Sequence, residues 1–221
     1  MFKSIFSLVA SLSLLAAPQV ALAQEEAPTA PRSYPPVNFN IAEEPENIWV
    51  LDLSNGERVK IRLMPEWAPS HVERIKTLTR QNFYNGVIFH RVIDGFMAQG
   101  GDPTGTGQGG SAMPDLEAEF NPMPHVRGSL AMARASEEDS ANSQFFIVFY
   151  PRFSLDKRYT NIGRVISNMG GVDAIAMGEP PTNPTRIVQA SMASDNAPVP
   201  APQAPPVEEQ ITLDDLNAPL Q

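Results

Sequence analysis

The chain has 221 residues, a formal net charge of −9 and no cysteine. This length is enough for one good hydrophobic core, so we expect a single folded domain that does not depend on disulfides. The acidic balance argues against a nucleic-acid partner, because the phosphates of nucleic acids attract basic proteins.

The first 23 residues have the pattern of an export signal. Lys3 supplies a positive charge, residues 5–17 are apolar, Pro18 interrupts them, and the Ala-Leu-Ala run at 21–23 is typical of a cleavage site. The apolar run is shorter than the ~20 residues that a membrane-spanning helix needs. We therefore expect cleavage before Gln24, a periplasmic or secreted protein, and no membrane insertion after cleavage.

Two proline-rich segments flank the expected domain at 48–193. Residues 24–47, rich in Pro, Glu and Ala, predict a linker or a loosely attached arm. Residues 194–221 combine repeated proline with acidic residues and predict an extended, disordered tail. An alternative for residues 211–216 is a short docking element.

Between these ends the patterns are mainly those of strands. The Asn55-Gly56 pair, between strand patterns at 48–53 and 58–63, is typical of a β-hairpin. Apolar residues at helical spacing predict helices over 70–81 and 172–177. Six more strands are predicted at 87–92, 96–99, 130–135, 144–149, 161–165 and 186–192. Eight strands and two helices favour a mainly β fold, a closed antiparallel barrel capped by the two helices.

Two motifs carry the chemistry of the chain. Residues 88–101 combine an arginine, a glutamine and large apolar side chains in a strand-turn-strand pattern that ends in glycine. Residues 128–147 add further polar and aromatic groups. Each apolar residue, taken alone, is more often core than site. A plain core strand would not tolerate Arg91 and Gln99 unpaired, so the joint pattern indicates the wall of a pocket.

Together these motifs resemble the cyclophilins, the barrel-fold peptidyl-prolyl cis-trans isomerases, over residues 48–192. The resemblance implies an isomerase that acts on proline-containing polypeptides. We expect it to use no cofactor or metal and to be a monomer. It places Arg91 on the catalytic arginine of the family. The substrate-binding positions that it implies are Phe96, Met97, Gln99, Ala133, Arg134, Phe146, Leu155 and Tyr159.

Three positions depart from the animal-type pattern of this family. Arg134 stands in place of an asparagine, whose backbone is the usual contact, and Tyr159 stands in place of a histidine. Tyr159 keeps an aromatic ring with a hydrogen-bonding tip. Ser154 stands in place of a tryptophan that binds cyclosporin-type ligands, so we expect a change in drug sensitivity more than in isomerase activity.

Arg91 has the chemistry that X-Pro isomerisation needs. Amide resonance gives a peptide bond a rotation barrier of about 18–20 kcal/mol. A donor that hydrogen-bonds the prolyl nitrogen as the bond twists stabilises the transition state without any nucleophile. The guanidinium of Arg91 stays charged and carries several rigid donors. We therefore expect a non-covalent isomerase that acts during the folding of exported proteins.

Other interpretations have less support. A proline-peptide binding module or holdase remains an alternative, although binding alone would not need the cation at Arg91. The glycines at 105–110 lack the following helix of a dinucleotide site. The acidic residues at 115–119 and 137–139 alternate or cluster as solvent-facing residues do. The three single histidines lack metal-ligand spacing and are His71, His90 and His125.

Overall fold

The computed structural model of the chain describes residues 33–37, 40 and 44–201. The predicted signal peptide, most of the predicted linker and most of the predicted tail lie outside these residues. Within them, no helix combines the length and the apolar content required to cross a membrane.

In the described part of the chain, eight antiparallel strands form one sheet, in the order β3-β4-β6-β5-β7-β2-β1-β8. The helices are α1, Pro69–Arg80, and α2, Met169–Asp173. The strands are β1, Ile48–Leu53; β2, Arg58–Leu63; β3, Arg91–Ile93; β4, Met97–Gly100; β5, Ser129–Met132; β6, Phe145–Val148; β7, Asn161–Ser167; and β8, Ile187–Met192.

The first hairpin and the first helix confirm the sequence-based predictions. Strands β1 and β2 pair antiparallel with the predicted bounds. Gly56 adopts a φ of 86° in the turn between them, a conformation that glycine reaches without steric cost. Helix α1 buries Val72, Ile75 and Leu78, the face expected from the helical spacing.

The prediction of a closed barrel is wrong, because the sheet is an open half-barrel. Strands β3 and β8 are the two edges of the sheet and form no ladder with each other in the described residues. The segments just before these strands meet, where Ile88 and Arg186 form an isolated bridge and Phe89 N donates to Thr185 O over 3.0 Å. This irregular pairing also explains why β3 begins at Arg91 and not at Val87.

The second helix lies earlier than predicted. The spacing of Val172 and Ile175 suggested a helix over 172–177, but α2 ends at Asp173. Its start is set by Asn168, whose side chain accepts a hydrogen bond from Gly171 N over 3.1 Å. A side-chain cap of this kind satisfies an otherwise unpaired donor of the first turn. The cap, and not the apolar spacing, therefore fixes this helix.

The main core lies on one face of the sheet and is built around aromatic rings. Phe145 makes edge contacts with Trp49 and Tyr84, with ring centroids 5.0 and 5.8 Å apart. Tyr84 is fully buried and donates its hydroxyl to Ser143 O over 3.1 Å. Strands β3 to β6 contribute alternate residues to this core, namely Val92, Ala98, Leu130 and Ile147.

The described part of the predicted linker contacts the domain. The rings of Tyr34 and Trp67 meet edge to face at 5.7 Å. Tyr34 donates its hydroxyl to Phe120 O, and the indole of Trp67 donates to Pro35 O over 2.8 Å. The arm is therefore attached at this point.

Candidate active site

Residues of β3 to β6 that alternate with the core positions face away from the main core and form a continuous row. In the sheet register Arg91 is opposite Gln99, Gln99 is opposite Phe146, and Phe146 is opposite Ala131. Residues opposite each other on neighbouring strands share one face of a sheet. The alternation that sends Val92 into the core therefore sends Arg91 to the outer face.

An apolar cluster lies on this same face. Its buried members are Met97, Ala131, Phe146 and Val148. Partly buried side chains pack against them, and these include Phe96, Ala133, Leu155 and Tyr159. The structure thus brings together six of the predicted substrate-binding residues in one cluster, here called the proline slot: Phe96, Met97, Ala133, Phe146, Leu155 and Tyr159.

Phe146 is at the centre of this slot. Tyr159 meets its ring edge to face, with centroids 5.5 Å apart. Arg152 lies over the ring of Phe96 at 5.5 Å and donates to Gly95 O over 2.8 Å. Guanidinium groups over aromatic faces are attracted by the ring quadrupole. The slot is therefore built from rings that other side chains hold in place.

Arg134 supports the slot through its side chain. Its guanidinium lies 5.0 Å from the ring centre of Tyr159, and Nε donates to Arg158 O over 3.1 Å. Nη1 donates to the carbonyl oxygens of Ala135 and Ser136. Arg134 thus fastens the loop after β5 to the segment that carries Tyr159, in addition to any backbone contact with substrate.

Gln99 connects the slot to the glycine-rich loop, residues 105–110. Its Nε2 donates to Gln144 Oε1 over 2.9 Å, and Gln144 Nε2 donates to the carbonyl oxygens of Gly107 and Gly109. A cavity of about 470 Å³ lies beside these groups. It is lined by polar and small residues that include Gln99, Ala133, Arg134 and Gln144. An extended peptide that enters the slot would meet these groups with its backbone.

The glycine-rich loop is organised by Asp102, which is fully buried. Its carboxylate accepts hydrogen bonds from the backbone N–H groups of Thr104, Thr106, Gly107 and Gly109. Burial raises the pKa of Asp102, but the hydrogen bonds from Thr104 and from the backbone outweigh it and bring the pKa to about 2. The loop is therefore closed around a carboxylate that is ionised at neutral pH.

Arg91 is held by an acidic partner that the sequence analysis missed. Arg91 Nε donates to Glu179 Oε2 over 2.7 Å. The two residues are 88 positions apart, and no local pattern links them. The guanidinium is partly exposed on the outer face, at the edge of the sheet next to Gln99.

His125 was also missed as part of the site. Its ring is almost fully buried and stacks on Phe146. Its backbone N donates to Asp156 Oδ1 over 2.8 Å, and its Nδ1 lies 2.8 Å from the same oxygen. Burial lowers the pKa of His125 and outweighs the opposite effect of Asp156. The neutral ring must then donate from Nδ1, because a carboxylate can only accept.

The other two histidines lie apart from the slot. Burial lowers the pKa of His90, which precedes Arg91. His71 is buried against Glu119, with Nδ1 2.7 Å from Oε2. Glu119 was expected to face solvent, and this prediction is wrong, because its carboxylate also accepts from the first N–H groups of α1. Among the described residues no three His, Asp or Glu side chains are grouped as metal ligands.

Comparison with known proteins identifies the family. Residues 50–192 match the family model described as cyclophilin type peptidyl-prolyl cis-trans isomerase. The chain belongs to this family. The resemblance seen in the two sequence motifs is thereby confirmed, and the protein is a cyclophilin-type peptidyl-prolyl cis-trans isomerase.

Curated relatives carry the same activity in their names. The chain is 45% identical over 170 residues to "Probable peptidyl-prolyl cis-trans isomerase" of Brucella suis, a match that covers 70% of this chain and 86% of that protein. It is 43% identical over 118 residues to peptidyl-prolyl cis-trans isomerase B of Bacillus subtilis, covering 53% of this chain and 82% of the relative.

Solved cyclophilin structures share the fold. A cyclophilin from Hirschia baltica superimposes with a TM-score of 0.64 at 29% identity, covering 70% of this chain and 76% of that one. A cyclophilin-type isomerase from Cryptosporidium parvum gives a TM-score of 0.61 at 28% identity, and the match covers 66% of this chain and 98% of that one. That structure was determined in the presence of the dipeptide Ala-Pro.

Proposed function

We propose that this cyclophilin accelerates X-Pro isomerisation in other exported proteins as they fold, and that Arg91 polarises the prolyl amide. The observation that carries the proposal is the row of Arg91, Gln99, Phe146 and Ala131 across four strands. In this row a cation, an amide and an apolar slot lie side by side on one face.

Each part of the row has a task in the proposed reaction. The proline ring enters the slot around Phe146 and Met97, where apolar burial holds it. Gln99 grips the neighbouring peptide backbone, since its amide can donate and accept. Arg91 donates to the prolyl nitrogen, whose lone pair leaves the amide resonance as the bond twists. This hydrogen bond is stronger in the twisted state, so it lowers the barrier.

The substrate class is supported by the chemistry of the slot and by one related structure. A slot made of rings and a methionine accepts an apolar ring and adapts to its pucker. The structure of the Cryptosporidium isomerase was determined in the presence of Ala-Pro, a dipeptide with one X-Pro bond. Proline-containing polypeptides are therefore the proposed substrates here.

Export is supported by the sequence of residues 1–23, with its charged start, apolar run and Ala-Leu-Ala site. A fold without cysteine does not depend on the redox state of its compartment. Cell fractionation of the full chain, compared with a chain that begins at Gln24, tests the location. Retention of both forms in the cytoplasm would contradict export.

The test of the mechanism is an X-Pro peptide assay, coupled to a protease or followed by NMR exchange. Arg91→Ala should lower kcat/KM by at least ~100-fold, about 2.7 kcal/mol of transition-state stabilisation. Arg80→Ala is the matched control, because Arg80 is also exposed and paired with a carboxylate, that of Asp195. Equal turnover of the Arg91→Ala, Arg80→Ala and unmodified chains would favour the binding-module alternative.

A further inference from the structure

We propose that Glu179 is a positioning residue for the isomerase. By accepting a hydrogen bond from Nε of Arg91, it fixes the plane of the guanidinium and leaves the Nη groups for the substrate. This inference rests on the role of Arg91 given under the proposed function.

The contact is direct and specific to one nitrogen. Arg91 Nε lies 2.7 Å from Glu179 Oε2, and the side chains are 41% and 53% exposed. A pair as exposed as this adds little to folding stability, because solvent screens it and both side chains lose freedom. Its effect on the geometry of Arg91 is therefore the larger consequence.

The backbone that carries Glu179 is fixed against β3. Val92 N donates to Gly178 O over 2.8 Å, and Gly178 N donates to Val92 O over 3.0 Å. This isolated bridge lies one residue from both members of the ion pair. The carboxylate is thus presented to Arg91 from a held segment.

Gly178 makes this approach possible. Its φ is 142°, and a Cβ atom at this position would lie 2.6 Å from the Cα of Pro181. Contacts this short with backbone atoms do not occur without a shift of the chain. Only glycine therefore allows the bridge to Val92 and the turn toward Pro181 together.

The pairing leaves useful donors on Arg91. Nε holds one of the five N–H groups of a guanidinium, and the other four are on the two Nη atoms. Within the part of the chain that the structure describes, these Nη atoms have no hydrogen-bond partner. A long arginine side chain that is already oriented loses less freedom when it meets the twisted amide. Glu179 therefore acts on the rate through Arg91.

The experiment compares kcat and KM of Glu179→Ala, Glu179→Gln, Arg91→Ala and the Arg91→Ala/Glu179→Ala double variant on one X-Pro peptide. Glu179→Ala should lower kcat about 5- to 10-fold, with KM changed less than about twofold. Glu179→Gln should recover most of this loss, because its amide oxygen still accepts from Nε. The double variant should be no slower than Arg91→Ala alone.

The outcomes distinguish the positioning role of Glu179 from the proposed function. If Arg91→Ala is slow and Glu179→Ala is as fast as the unmodified chain, positioning by Glu179 is wrong while the proposed function stands. If Arg91→Ala itself is fast, the proposed function fails. A Gln variant as slow as the Ala variant, or a loss from Glu179→Ala that persists without Arg91, would also overturn the positioning role. Thermal melting of each variant confirms that it is folded.

Discussion

His125 stacks on Phe146, with 6.3 Å between the ring centroids and 17° between the ring planes. The same histidine holds the short helical turn that carries Leu155. Its carbonyl oxygen accepts from Arg152 N, and its backbone N donates to Asp156 Oδ1, both over 2.8 Å. His125 therefore supports two parts of the proline slot, Phe146 through its ring and the turn of Leu155 through its backbone.

Folding stability should fall when the pH is lowered from 7 to 5. The pKa values of His125 and His90 lie below the ordinary 6.5, chiefly through burial, so below that pH the unfolded chain binds more protons than the folded chain. Stability is then full above about pH 6.5 and is lost as the pH falls toward the folded pKa. Urea unfolding at a series of pH values measures this loss.

His125→Asn is the control for this prediction. Asparagine can still donate to Asp156 but does not titrate, so the variant should lose less stability between pH 7 and 5. Buried carboxylates such as Glu119 do not interfere, because the unfolded chain protonates them only near the ordinary pKa of 4.5 and below. An identical pH slope in both proteins would show that His125 is not responsible.

Phe145 and Phe146 should respond differently to replacement by leucine. Phe145 contacts the main core and Phe146 the slot, although they are adjacent in β6. Each change should cost roughly 1–2 kcal/mol of folding stability. Only Phe146→Leu should also weaken peptide affinity, measured by titration at a temperature where both variants are folded. Equal affinities of the two variants would assign Phe146 to the core alone.

Arg91→Lys should restore little of the activity lost in Arg91→Ala. Lysine keeps the positive charge but has no planar fork, so it cannot donate to Glu179 and to the substrate in fixed directions at once. We expect kcat/KM at least about tenfold below that of the unmodified chain. Turnover near that of the unmodified chain would mean that charge alone is sufficient at this position.

Asp102→Asn should weaken both the fold and peptide binding. The side-chain NH₂ group of asparagine would face backbone N–H groups, which cannot accept a hydrogen bond from it. We therefore expect a loss of about 3 kcal/mol of folding stability. KM should rise, because the Gly107 and Gly109 carbonyls that hold Gln144 belong to this loop. In the unmodified chain the contribution of Asp102 is present above about pH 4 and is lost as the pH falls toward its pKa of about 2.

Acid unfolding of the unmodified chain and of Asp102→Asn tests this pH dependence. Below pH 4 the unmodified chain should lose stability more steeply than Asp102→Asn. Parallel curves would show that the Asp102 carboxylate does not stabilise the loop through its charge.

Local patterns were sufficient to predict much of this fold. The hairpin at Asn55-Gly56 and the helix around Val72 depend on neighbours in sequence, and both were predicted with nearly correct bounds. The slot residues were predicted because the family motif records which side chains occur together. The motif does not explain why these side chains share one face of the sheet. That follows from the register of β3 to β6.

The side-chain pairs that were missed around the site join residues distant in sequence. Glu179 meets Arg91 across 88 positions, and Glu119 meets His71 across 48. Alternating acidic residues predict exposure unless a buried partner is known, so Glu119 was assigned to solvent. The opening between β3 and β8 likewise depends on how the two edges of the sheet meet. Such contacts are set by packing and not by local spacing.

The alternation along β3 to β6 also governs how the enzyme can fail. Arg91 and Val92, like Phe146 and Ile147, are neighbours on one backbone that serves both the slot and the core. The part of the slot that these strands carry therefore cannot melt while they stay paired, and it cannot persist once they separate. Loss of catalysis and loss of β-sheet circular dichroism should follow one denaturation curve, and the amides of these strands should exchange hydrogen only through global unfolding.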